Sequence, residues 1–251
     1  MIGADIVDES PKPWGLWTTL GLSLVVGGVF LSIQTVVVVI WILVAAAGNP
    51  AQLPPQFAES LSANGLLLSL SNWITLPFTL ALIVLFVKLR GSWSPQDYLA
   101  MYRVPARMLL VWLGILVLLV ASFEGISWFI GRSCGGEFMI QIYQTAGFLP
   151  LLWATLLVEA PVFEEVFFRG FMFRGIQQSR LGTVGAIVIT SLAWTAMHVQ
   201  YDAYALTWVF ALGILMGIAR WKSGSVYLTM AVHAFANLIS LVEVHAWSVW
   251  S

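Results

Sequence analysis

The sequence predicts an all-α, polytopic membrane helical bundle of about seven transmembrane helices, with a core site formed by the last four. Three observations predict it. Of the 251 residues, 60% are hydrophobic and only 9% are charged, against about 25% charged in soluble domains. Mean hydropathy is +0.91. The apolar residues also come in runs of about the 20 residues that cross a bilayer, parted by short polar segments.

The stretch MIGADIVDESPKPWG is acidic and lacks the basic start of a secretory signal, so the apolar run that follows is expected to be retained. That run, 14–47, would extend about 50 Å as a helix. It must tilt, project, or bend near Gly27 and Gly28, and one span or two both remain open. A Pro- and Ser-containing loop leads to a second span, 65–87, which holds Pro77. Segment 92–107 mixes Trp, Tyr and Arg and reads as interfacial. A third span covers 108–131, followed by a loop with Cys134, the one cysteine, which excludes an internal disulfide. The remaining spans are 146–174, 183–199, 203–219 and 226–244. The tail HAWSVWS has no CaaX cysteine, so no prenylation signal is expected in it.

The basic residues orient this bundle. Lys12, Lys88, Arg90, Arg103, Arg107, Arg174, Arg180, Arg220 and Lys222 fall at one end, Arg132 alone at the other, and Arg169 inside. The positive-inside rule then places the N-terminus in the cytoplasm and the C-terminus outside. A multi-pass protein of this size without long loops fits a prokaryotic plasma membrane. With so few charges there is no basic patch for nucleic acid.

Several residues have structural roles to expect. Gly170, Gly175, Gly213 and Gly217 suit close helix packing. Asp202 should cap the next helix, and Trp208, Trp221, Trp247 and Trp250 suit interfacial belts. Glu124 and Glu159 are expected to be structural or substrate-facing, Glu159 beside a kink at Pro161.

The fourth span is exceptional because it contains Glu159, Glu164, Glu165 and Arg169. Each charge costs roughly 2.5–3.5 kcal/mol or more in hydrocarbon, so such residues mark function by default. Glu165 and Arg169 are i,i+4 and should form an intrahelical ion pair. Glu164 points about 100° away, roughly 15 Å from the cytoplasmic exit by helix rise, and is left for something else. His198 closes the fifth span, while His233 and Asn237 share a face of the seventh at i,i+4. By helix rise the two histidines lie about 22 and 12 Å in, bracketing Glu164. This set suits hydrolysis, since a carboxylate or imidazole can take a proton from water and imidazole and amide N–H can stabilise an oxyanion. No GxSxG serine is present and Cys134 is far from the histidines in sequence, so water is the natural nucleophile.

Three short motifs carry a family resemblance. EEVFFR at 164–169, followed by Gly170, resembles EExxxR. WTAMH at 194–198 resembles FxxxH with Trp194 in place of phenylalanine, and HAFAN at 233–237 resembles HxxxN. Their order and spacing resemble the CPBP family, comprising type II CAAX prenyl proteases and bacteriocin-processing (Abi) enzymes. The resemblance covers about 151–241 and implies an intramembrane glutamate-type endopeptidase that needs no metal and no other cofactor. It implies Glu164 as general base with His198, and His233 and Asn237 as oxyanion hole. Glu165 and Arg169 would support the site, and Trp194 would form an aromatic wall. The implied substrate is a membrane-associated peptide or protein, possibly lipidated, cleaved near the cytoplasmic side of the bilayer. On this reading 1–145 are N-terminal transmembrane helices with the interfacial segment 92–107, 146–244 a catalytic helical core, and 245–251 a tail.

Two other functions fit the same residues. Glu164, His198 and His233 could hold a catalytic zinc with an open fourth position, although HExxH is absent. A non-enzymatic immunity or scaffold protein could retain the same pocket.

Overall fold

Helix is the only regular structure among the residues that the computed structural model describes, which are 12–48, 57, 61–91, 93–132 and 136–250. Cys134 and the acidic stretch ahead of Lys12 lie outside them. Helix α1, Leu16–Gly48, is one unbroken run of 33 residues, so Gly27 and Gly28 do not divide it. Helix α2, Gly65–Leu89, continues through Pro77 and is capped by Asn64, which accepts the Leu67 N–H at 2.8 Å. A single turn, α3 (Pro95–Tyr98), precedes α4 (Ala106–Phe129), and α5 is the short Glu137–Gln144. Helix α6 runs continuously over 149–177, α7 is Gly182–Ala196, α8 Ala203–Ser223 and α9 Val226–Trp250.

Helices α1, α2, α4, α8 and α9 are each long and apolar enough to cross a membrane. This is an integral membrane protein with an all-α polytopic bundle. Of the two other expected spans, α7 has only 15 residues, fewer than a full crossing requires. The other, α6, is interrupted twice by π-helical turns, Thr155–Glu159 and Glu165–Met172.

The π turns have identifiable consequences. In a π turn the N–H bonds five residues back, displacing the carbonyl that an α-helix would have used. The Ala160 N–H bonds the Thr155 carbonyl, so the Leu156 carbonyl loses its α-helical partner. Its i+5 neighbour is Pro161, which has no N–H to offer. Asn237 on α9 supplies the missing donor, Nδ2 to the Leu156 oxygen at 2.7 Å. The second π turn repeats this arrangement. The Phe173 N–H bonds the Phe168 carbonyl, and the freed Arg169 carbonyl accepts Nε of Arg220 on α8 at 2.9 Å.

The bundle has two distinct ends. At the first, Trp14 Nε1 donates to the Phe86 carbonyl at 3.0 Å. Arg174 donates to the carbonyls of Tyr98 and Asp97 at 3.1 and 2.6 Å, and the Val226 N–H reaches the Ala100 carbonyl at 2.9 Å. The segment after α2 is therefore drawn into the bundle: Tyr98, Leu99 and Ala100 are buried, while Tyr102 and Arg103 remain exposed. Hydrogen bonds from Tyr102 and then Ser94 hold the Asp97 carboxyl below its ordinary value. At the second end Arg132 pairs with Asp202 at 2.7 Å. There Ser127 meets Tyr204 at 2.8 Å, and Tyr143 OH meets Nδ1 of His245 at 2.5 Å.

Close approaches fall at glycine, as expected for Gly170, Gly175, Gly213 and Gly217, whose added Cβ atoms would press on Leu99, Thr19, Ser191 and Ile187. The tightest position involving backbone is Gly65, where a Cβ would sit 1.9 Å from the Ile142 carbonyl oxygen of α5. Gly65→Ala is expected to destabilise the protein by about 1–3 kcal/mol, the usual range for overpacking. Thermal unfolding in detergent measures it, and an unchanged midpoint would show that α5 can move aside. Among the tryptophans expected in interfacial belts, Trp208 packs on Phe123, with ring centroids 5.2 Å apart, and Trp221 and Trp247 are exposed.

Candidate active site

Glu164 ends the α-helical turn between the two π stretches, and Glu165 begins the second. The pair separates sharply in environment. Glu165 is fully buried, and its Oε1 accepts both Nη1 of Arg169 and Nδ1 of His233, each at 3.1 Å. Arg169, equally buried, donates through Nη2 to the Gly213 carbonyl at 3.3 Å. Its guanidinium lies 4.8 Å from the Trp194 ring centroid. The expected i,i+4 ion pair thus forms and ties α6 to α8 and α9.

Glu164 faces the other way, with its side chain 17% exposed, into a cavity of about 940 Å³. Its Oε2 accepts the indole N–H of Trp194 and lies 3.9 Å from Nε2 of His233. His198, His233 and Asn237 line the same cavity. The structure therefore brings Glu164, Trp194, His198, His233 and Asn237 to one wall system, and places Glu165 and Arg169 behind it.

Hydrogen bonding assigns the ring protons. A carbonyl only accepts, so Nδ1 of His198, 2.8 Å from the Trp194 oxygen, carries a hydrogen and leaves Nε2 available. His198 is not on the helix itself. Helix α7 ends at Ala196, and the imidazole satisfies a carbonyl of its last turn. His233 likewise donates Nδ1–H to the ionised Glu165, directing Nε2 toward Glu164. The Asn237 amide has one N–H engaged by Leu156 and retains a second.

Two contributors carry no motif in the sequence. Tyr201 stacks on His198 at 5.9 Å with nearly parallel rings, and only its spacing of three residues pointed to a neighbour. Arg220 supports the second π turn, although its sequence position marks it simply as a charge at a helix end. Trp194 does more than form an aromatic wall, because the indole has a donor that phenylalanine lacks. Asp202, which lines the cavity, caps α8, and the Ala205 N–H followed by Arg132 holds its carboxyl below the ordinary value. That stabilisation is present above the ordinary value and is lost as pH falls through the depressed one. Glu124 also lines the cavity, while Glu159 is buried at the end of the first π turn.

Comparison with known proteins bears on the same stretch. A 91-residue segment is 34% identical to an uncharacterized 24.3 kDa protein of Escherichia coli, covering 35% of this chain and 42% of that relative. The chain thus spans about two fifths of the length of the curated relative it matches. No solved structure matches. Residues 146–239, which hold Glu164, Glu165, Arg169, Trp194, His198, His233 and Asn237, match the family of type II CAAX prenyl endopeptidases, Rce1-like.

Proposed function

We propose that the protein is an intramembrane endopeptidase that hydrolyses peptide bonds of membrane-associated or lipidated peptides, with Glu164 and His198 activating water. One observation carries this reading. Of two adjacent carboxylates, one is engaged by Arg169 and His233, while the other faces a cavity shared with two imidazoles and an amide.

In this mechanism Glu164 takes a proton from water as its oxygen attacks the peptide carbonyl, and Nε2 of His198 positions the same water. The carbonyl π electrons move to oxygen, where the second N–H of Asn237 and Nε2–H of His233 stabilise the charge. His233 can donate from Nε2 only when both ring nitrogens carry hydrogen. Such an imidazolium would balance the net negative charge of Glu164, Glu165 and Arg169 together. Collapse of the intermediate breaks the C–N bond, and the proton held by Glu164 passes to the departing amine.

In this proposal 146–244 form the catalytic core, 1–145 supply the remaining walls, and the N-terminus lies on the cytoplasmic side of a prokaryotic plasma membrane. Among the described residues no three His, Cys, Asp or Glu side chains gather as a metal-holding group. The discriminating experiment compares C-terminal and neo-terminal peptides in cells carrying wild type or Glu164→Gln. Peptides that disappear with the variant support turnover. An unchanged peptide set would favour a non-enzymatic partner instead.

Trp194 is a positioning residue in this scheme. Trp194→Phe keeps the ring but removes a hydrogen bond to a charged group, a loss of about 1.5–3 kcal/mol. The expected result is a roughly ten- to hundredfold lower kcat with little change in KM, the pattern of an interaction that matters in the transition state. A raised KM with unchanged kcat would make Trp194 part of the binding wall only.

A further inference from the structure

The cavity that holds Glu164 has an open end and a closed end. Of the residues that line it, Arg132, Glu137, Gln200 and Asp202 are exposed, and all four sit at the second end of the bundle, which marks the mouth. Arg132 and Asp202 there are about half exposed. Toward the first end the cavity stops at Glu164, Trp194 and His233. Below them Glu165, Val166, Phe167, Phe168 and Arg169 are all buried. Beyond these, Tyr98, Leu99 and Ala100 pack into the bundle, and Phe171 and Phe173 are buried completely.

Charge is divided between the same two ends. The hydrogen bonds that join Trp14 to Phe86, Arg174 to Asp97 and Tyr98, and Val226 to Ala100 gather the basic-rich segments at the closed end. Lys12, Lys88, Arg90, Arg103, Arg107, Arg174, Arg180, Arg220 and Lys222 all belong to those segments. At the open end Arg132 is the single basic residue among those described, and it is paired with Asp202. Short basic segments of a membrane protein stay in the cytoplasm.

We infer that the cavity opens on the non-cytoplasmic face of the membrane. The substrate is therefore a peptide segment exposed outside the cytoplasm, such as a part of a secreted or membrane protein that has already crossed. The cleavage clause rests on the proposed function, while the direction of opening does not. An outward opening departs from the expectation of cleavage near the cytoplasmic side, for a packing reason. Glu164 lies about midway along helix 149–177, and the buried lower half of α6 and the segment around Tyr98 block access from the basic end. A lipidated tail produced in the cytoplasm would meet the closed face. Water for hydrolysis arrives through the same outer mouth. A volume of about 940 Å³ lies at the upper end of the roughly 300–1,000 Å³ typical of ligand pockets, enough to admit a short extended peptide.

Two arms test this. In a Cys134→Ser background, Gln200→Cys marks the mouth and Arg180→Cys the opposite end. A membrane-impermeant sulfonated maleimide should label Gln200→Cys in intact spheroplasts and Arg180→Cys only in everted vesicles. The reverse pattern, or labelling of both positions in both preparations, overturns the inference. In the second arm, Glu164-dependent neo-termini should map to non-cytoplasmic segments. Neo-termini confined to cytoplasmic segments would overturn the inference while sparing the peptidase. A complete lack of them would overturn the peptidase, with the labelling still deciding where the cavity opens.

Discussion

Glu164→Gln is expected to lower peptide hydrolysis by about 10²–10⁴-fold, the contribution of a positioned general base, without unfolding the protein. Glutamine keeps a carbonyl oxygen that can accept the Trp194 indole N–H, so the wall of the cavity is preserved. It loses the ability to hold the proton taken from water. Glu164 can tolerate this change because its side chain reaches the cavity and Glu165, not Glu164, is the partner of Arg169. His198→Ala should fall in the same direction, since Nε2 is the other free base. The measurement is steady-state cleavage by purified protein of a peptide identified from the Glu164-dependent set, run beside thermal unfolding. A wild-type rate in Glu164→Gln would remove Glu164 from the mechanism. A lost rate with a collapsed unfolding midpoint would instead make it structural.

Arg169→Ala is expected to act on stability far more than a surface change, by about 3–5 kcal/mol, because it removes the arginine partner of the buried Glu165 carboxylate and leaves it to His233. That is a large part of the roughly 5–15 kcal/mol that keeps a domain folded. Both side chains of the pair are fully buried, so water cannot take over. Arg169 also bonds the Gly213 carbonyl and lies over Trp194, so its loss should loosen α8 and α7 together. Removing both charges, with Glu165→Gln added, should cost less than the single change. A double-mutant cycle read by denaturant unfolding or by cellular abundance checks this. Additive effects of the two substitutions would show that the ion pair does not couple them.

The legibility of the molecule differed from region to region. The ion pair Glu165–Arg169 could be foreseen from an i,i+4 spacing alone, since partners four apart on one helix meet whatever surrounds them. The Asp202 cap was foreseeable for the same reason. The role of Asn237 at Leu156 was not, because it depends on a π turn whose displaced carbonyl faces Pro161. Arg220 and Tyr201 likewise gain their places only when α8 and the turn after α7 pack against α6 and His198. His198 itself lies beyond the end of α7, not within it.

By itself the sequence determined an all-α membrane bundle, its basic end, and the small group of polar residues around Glu164. Those follow from hydropathy, charge and local periodicity, which need no neighbours. Only the tertiary structure decided that Glu164 faces a cavity and that buried residues close one end of it. Burial and access belong to the packing of distant segments: α6 closes one end with its own lower turns and the Tyr98 segment, and no residue spacing records that closure.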